Sequence, residues 1–181
     1  MNKKLANEAL ERPDLECYKQ KEKLPITVVL DNVRSLANVG SVFRTSDAFL
    51  VKEIVLGGIT GTPPHREIQR TALGATESVT WQHVVDLNKW VLEQKQKGAR
   101  IASVEQCEES IELQDLSHSS LHDVSKGEWL VILGNEVSGV DQRLIDLSDI
   151  VVEIPQSGTK HSLNVTVAAG IVLWEFYQAL R

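Results

Sequence analysis

Apolar runs of strand length alternate along this chain with segments of helical period. Residues 25–30 (PITVVL), 53–56 (EIVL), 100–104 (RIASV), 129–133 (WLVIL) and 150–154 (IVVEI) are short and rich in β-branched side chains. A weaker sixth strand is 79–84 (VTWQHV). Between them, 39–49, 86–97 and 142–147 carry helical spacing, and two more helices are predicted, one before Pro25 and one from about Asn164 to Leu180. Strand and helix in turn predict an α/β fold: a mostly parallel sheet flanked by helices on both faces, with ligand loops at the carboxyl ends of the strands. No repeat or linker divides it, so 1–24 is expected to be a helical N-terminal extension and 25–181 one domain. The acidic stretch 105–115 (EQCEESIELQD) reads as a solvated loop or helix face.

The last helix is unusual. Val165, Val167, Ala168, Ile171, Val172, Leu173, Trp174, Phe176 and Leu180 occupy nearly its whole circumference, which marks a helix buried on most sides. A subunit interface, most simply a two-fold homodimer, accounts for this. The alternative is a helix wedged between the sheet and the N-terminal helices.

Composition narrows the picture. At 181 residues and 42% hydrophobic, the chain is long enough for a core of its own, which excludes a tail or a coiled coil. Its formal charge is −6, so nucleic-acid binding would have to rest on local patches rather than a bulk positive field. Cys17 and Cys107 stand far apart without ligand spacing, as two reduced thiols of a cytoplasmic protein would. No apolar stretch approaches membrane length, and a membrane partner is not expected. The pair His118 and His122, near Cys107, suits a solvated loop better than zinc, and no metal is expected.

Three segments carry candidate chemistry. In 31–49 (DNVRSLANVGSVFRTSDAF) a strand end runs into a helix with Asn38 as its expected N-cap. Arg44 lies off the core stripe one turn beyond Gly40, whose missing side chain would leave room for a ligand. Taken alone, this pattern first describes a surface arginine paired with Asp47. In 129–140 (WLVILGNEVSGV) a buried strand empties into Gly134, Asn135 and Glu136 and then Gly139. Two glycines around a carboxylate allow close approach of a ligand, although neither GxGxxG nor a GK[ST] ending is present and a tight turn explains the segment by itself. In 151–170 a strand ends at Ile154 and Pro155, and Ser162 or Asn164 caps the last helix. Amides at that helix start suit a polar ligand, and plain capping explains them too.

Taken together and in this order, the segments resemble the SpoU, or TrmH-like, RNA 2′-O-ribose methyltransferases of the SPOUT superfamily. The resemblance rests on Asn32, Asn38, Gly40 and the run from Arg44 to Phe49; on Leu133, Gly134, Glu136 and Gly139; and on Ile154, Pro155 and the run from Ser162 to Ala168. A connecting TALGA at 71–75 also fits, and the likeness spans roughly 26–180. Departures are Leu50 for a common glycine, Asn135 for serine or proline, Gln156 for methionine and Thr166 for serine.

The resemblance implies a deep C-terminal trefoil knot whose loops hold S-adenosylmethionine, lined by Val104, Leu133, Gly134, Ile154, Ser162 and Leu163, at a dimer interface. It implies catalysis by Arg44, as proton acceptor or as an orienting cation, with Asn38, Glu136, Ser162 and Asn164 fixing the loops and the RNA backbone. RNA is the implied partner, through Arg34, Arg44, Arg66, Arg70 and Lys160, joined by Lys19, Lys21, Lys23 and His161. The short segment before the first strand favours tRNA over rRNA. The alternatives are an rRNA methyltransferase, a knot protein that binds cofactor and RNA without catalysis, and an unrelated nucleotide-binding α/β protein.

Overall fold

Short runs of β-branched residues become strands because each can bury both faces between helix layers. The computed structural model, which describes residues 2–6, 12–116 and 127–180, has β1 (Leu24–Asp31), β2 (Val51–Gly57), β3 (Thr80–Val84), β4 (Arg100–Val104), β5 (Ile111–Glu112), β6 (Trp129–Leu133) and β7 (Ile150–Glu153). They form one sheet in the order β3-β2-β1-β6-β4-β7-β5, and every pairing is parallel. Later strands interleave with earlier ones: β6 lies between β1 and β4, and β7 between β4 and β5.

The helices are α1 (Leu15–Gln20), α2 (Leu36–Ala48), α3 (Arg66–Ala72), α4 (Ala75–Ser78), α5 (Leu87–Gln96), α6 (Gln142–Leu147) and α7 (Val165–Ala179). Strand alternation divides the core in two. Ile26, Val28 and Leu30 of β1, with Trp129, Val131 and Leu133 of β6, pack under α2, α3 and α7. Val29, Leu130 and Ile132 face α5 and α6 on the other side.

The sixth strand and all five predicted helices are present, with ends shifted by up to three residues. Three local expectations are corrected. Ser35, not Asn38, caps α2: its hydroxyl accepts the Asn38 amide, so the helix starts earlier and Asn38 stands on its first turn. The space beside Gly40 is filled by protein, because a Cβ there would overlap Thr71 and the Ile68 carbonyl; it is the contact that lets α3 lie against α2. The acidic stretch is not simply solvated, since it contains β5 and a 3-10 turn with Leu113 buried.

Helix α7 buries Val165, Ala169, Val172, Leu173 and Phe176 against the sheet and α2. Three of its other apolar residues, Val167, Ile171 and Trp174, are 49%, 40% and 50% exposed in the single chain. The N-terminal α1 packs on α4, and the outer stripe of α7 remains open.

Candidate functional site

The carboxyl ends of β4, β6 and β7 open into one cavity of about 490 Å³, within the range of small-molecule sites. All six residues expected around a cofactor, Val104, Leu133, Gly134, Ile154, Ser162 and Leu163, line it. The segments that supply them are far apart in sequence and adjacent in space because β6 and β7 both neighbour β4.

The loop after β6 is held in a fixed shape. Asn135 and Gly139 exchange backbone hydrogen bonds of 3.2 and 3.1 Å, and the Asn135 Oδ1 accepts the amides of Val137 and Ser138. Gly139 has φ +67°, a left-handed conformation suited to glycine. A Cβ on Gly134 would overlap the Gly139–Val140 peptide, so the two ends of the loop touch only because Gly134 has no side chain. Below the loop, Glu105 Oε2 accepts the Val140 amide at 2.9 Å while Oε1 accepts the Gln106 amide at 2.9 Å. Glu105 also lines the cavity. Sequence reasoning missed it because it stands among residues that read as a charge run; its position one residue past a buried strand was the available signal.

Asp31, at the end of β1, braces the same region. Its carboxylate is 2% exposed and accepts the Asp141 amide at 2.8 Å and the Asn32 side-chain amide at 2.7 Å. Burial pushes its pKa above the ordinary carboxylate value, against the pull of those two donors. Asp141, the α6 N-cap, is held below that value chiefly by hydrogen bonds from Arg143. Asn32 has φ +54° and accepts the Ile59 amide, tying the first segment to the turn after β2.

At the mouth of the cavity the three segments meet directly. Asn38 donates to Glu136 at 2.7 Å, and Asn164 donates to Asn38 at 3.4 Å. Asn164 also caps α7 by accepting the Thr166 amide. Glu136 and Ser162 lie on the cavity wall.

Arg44 is elsewhere. Six residues beyond Asn38 on α2, it stands about 9 Å along the helix and about 120° around it, and it lines a second groove of about 890 Å³ with Tyr18, Lys21 and Asp47. It has no ion-pair or hydrogen-bond partner among the described residues; Asp47, its expected partner, instead accepts from the Ser78 hydroxyl. The other expected RNA contacts are scattered. Arg34, Arg66, Arg70 and Lys160 are exposed and border neither cavity; Lys23 lies 3.3 Å above the Tyr18 ring; His161 reaches the first cavity.

No described helix is long and apolar enough to cross a membrane, and the described residues contain no group of three or more metal-ligating side chains. His118 and His122 lie outside the described residues.

Residues 25–174 match the profile of the SpoU rRNA Methylase family. The chain is 32% identical over 151 residues to the 23S rRNA (guanosine-2′-O-)-methyltransferase RlmB of Neisseria meningitidis, covering 83% of this chain and 57% of that protein. It superposes with a TM-score of 0.78 on the TrmH/SpoU tRNA modifying enzyme of A. aeolicus, at 27% identity over 91% of this chain and 80% of the other. The AdoMet-bound rRNA methyltransferase of Sinorhizobium meliloti gives a TM-score of 0.77 at 24% identity, over 92% of this chain and 60% of that one, a likeness of fold. The chain spans between 57% and 69% of the length of the curated relatives it matches.

Proposed function

This chain belongs to the SpoU rRNA methylase family, and from that membership and the cavity at the strand ends we propose that it methylates a ribose 2′-hydroxyl of RNA, using S-adenosylmethionine. The observation that carries the reading is the junction of Asn38, Glu136 and Asn164 at the mouth of the cavity formed at the carboxyl ends of β4, β6 and β7. The cavity fits the cofactor chemically. Val104, Leu133, Ile154 and Leu163 offer apolar surface for an adenine ring, the strand ends and the loop after β6 offer backbone donors and acceptors, and Glu105 and Glu153 offer carboxylates for a cationic tail. When bound, S-adenosylmethionine supplies a methyl group activated by a sulfonium charge.

The chain's own task is to hold the ribose and to take or share its hydroxyl proton. Arg44 is the residue we assign to that atom, either as the proton acceptor or as a cation that orients the hydroxyl and stabilises charge developing on oxygen. Arg44 borders no part of its own chain's cavity, which is what a site shared between two copies requires. We therefore read the open stripe of Val167, Ile171 and Trp174 as the homodimer surface. The interleaving of β6 and β7 with earlier strands is the sheet order that a trefoil knot in the C-terminal segment would leave, and we assign the knot on that ground.

Transfer RNA is the substrate we favour, on the likeness to the tRNA modifying enzyme of A. aeolicus. The Neisseria relative, an rRNA enzyme, favours the second reading, ribosomal RNA. Incubation with labelled S-adenosylmethionine and RNA from cells lacking this protein, followed by mapping of the label, separates the two. Arg44→Ala should reduce transfer at least a thousandfold and change cofactor affinity less than threefold; undiminished turnover would refute the assignment.

A further inference from the structure

The groove that contains Arg44 has features that methyl transfer does not use. Its charged lining is balanced: Arg12, Lys21 and Arg44 face Asp14, Asp47 and Glu77. A trench for the RNA backbone would need an excess of positive charge, whereas a balanced mixture of donors and acceptors suits the edge of a neutral nucleobase. Its volume of about 890 Å³ admits a nucleotide.

Leu73 supplies the second observation. It closes α3 with φ +50° and is 66% exposed on the groove's rim. A left-handed helix end normally takes glycine or asparagine, and an exposed leucine there gains little from packing within its own chain. An apolar side chain held out beside a basic residue is a stacking or wedging surface for an unpaired base. Two of the three carboxylates are already engaged, Asp14 by the Cys17 amide and Asp47 by the Ser78 hydroxyl. Glu77 has no side-chain partner among the described residues, and it is exposed on the same wall. Opposite it, α1 is fixed by Tyr18, buried, whose hydroxyl donates to the Asp47 carbonyl.

We propose that this groove seats an unpaired base of the substrate RNA within one nucleotide of the methylated ribose, stacked on Leu73 and read at its exocyclic amino group by Glu77. The proposal rests on the RNA-modifying reading above and makes the N-terminal segment one wall of the specificity pocket.

The test uses the full chain and the RNA that it methylates, or else the RNA that it binds most tightly. Leu73→Gly suits the backbone at this position, so thermal stability should hold or rise while kcat/KM, or RNA affinity, falls at least tenfold. Bases around the site are then replaced singly by analogues lacking the exocyclic amino group. At one position the replacement should cost the wild type at least tenfold and Glu77→Ala less than threefold, a coupling that a purely structural role would not produce. An unimpaired Leu73→Gly, additive losses at every position, or indifference to all replacements would overturn the proposal. Binding with the expected coupling but no methyl transfer would overturn the enzymatic reading alone, and a chain that binds no RNA would overturn both.

Discussion

A buried carboxylate with two amide donors and no cation in contact among the described residues is the least ordinary residue of the site. Asp31 accepts from Asp141 and Asn32, and desolvation still raises its pKa. The folded-state value therefore exceeds the unfolded value of about 3.9, and folding favours the protonated form. Its contribution to stability is fully present below the unfolded value and is lost as pH rises through the folded one. Wild type should gain in Tm relative to Asp31→Asn as pH falls from neutral toward 4; a gap independent of pH would show that the carboxyl titrates alike in both states. The type and spacing of Arg44 were legible in the sequence, but its separation from the cavity at the ends of β4, β6 and β7 was not, because a one-dimensional motif does not say which side of α2 faces which groove.

At the scale of elements, the loop after β6 depends on packing as much as on its own sequence. Gly134 and Gly139 announce a turn, and Asn135 explains its closure through side-chain bonds to the next amides. The turn is then fixed to the sheet by Glu105, which follows β4, a strand neighbour but distant in sequence. Glu105→Ala leaves the Val140 amide without its partner, at a local cost of about 1–3 kcal/mol. Cofactor affinity should fall about tenfold, the equivalent of about 1.4 kcal/mol, with the thermal midpoint lowered by only a few degrees; calorimetric titration giving wild-type affinity would remove Glu105 from the site. Gly40 carries the converse lesson. It looked like space for a ligand and is space for α3, whose Thr71 hydroxyl donates to the Ala37 carbonyl at 2.9 Å.

For the whole molecule, the decisive surface is the outer face of α7. Aromatic contacts of Phe49 with Trp174 and Tyr177 extend this apolar area toward the end of α2. Ile171→Glu, placing like charges across a two-fold contact, should convert a dimer to monomers in sedimentation experiments. Methyl transfer should be lost with it while each chain still binds cofactor. A monomeric wild type with full activity would sink the shared-site reading. A dimer also doubles the formal charge of −6 per chain, so RNA affinity should rest on a few basic residues and fall steeply with salt.

By itself the sequence determined the alternation of strands and helices, three elements to the residue (β4, β6 and α6), and the three segments that meet at the mouth of the cavity, while their resemblance to a known family named six of the residues that line it. These are properties of local period, turn chemistry and motif order, and a chain carries them wherever it folds. Helices α3 and α4 were not legible, being short and polar on their outer faces, and neither was β5, two residues long. Only the tertiary structure decided that β6 and β7 interleave with earlier strands, that Glu105 braces a distant loop, and that Arg44 and Leu73 share a groove on the far side of α2. Those relations are between surfaces brought together by burial of both faces of the sheet, and no spacing along the chain encodes them.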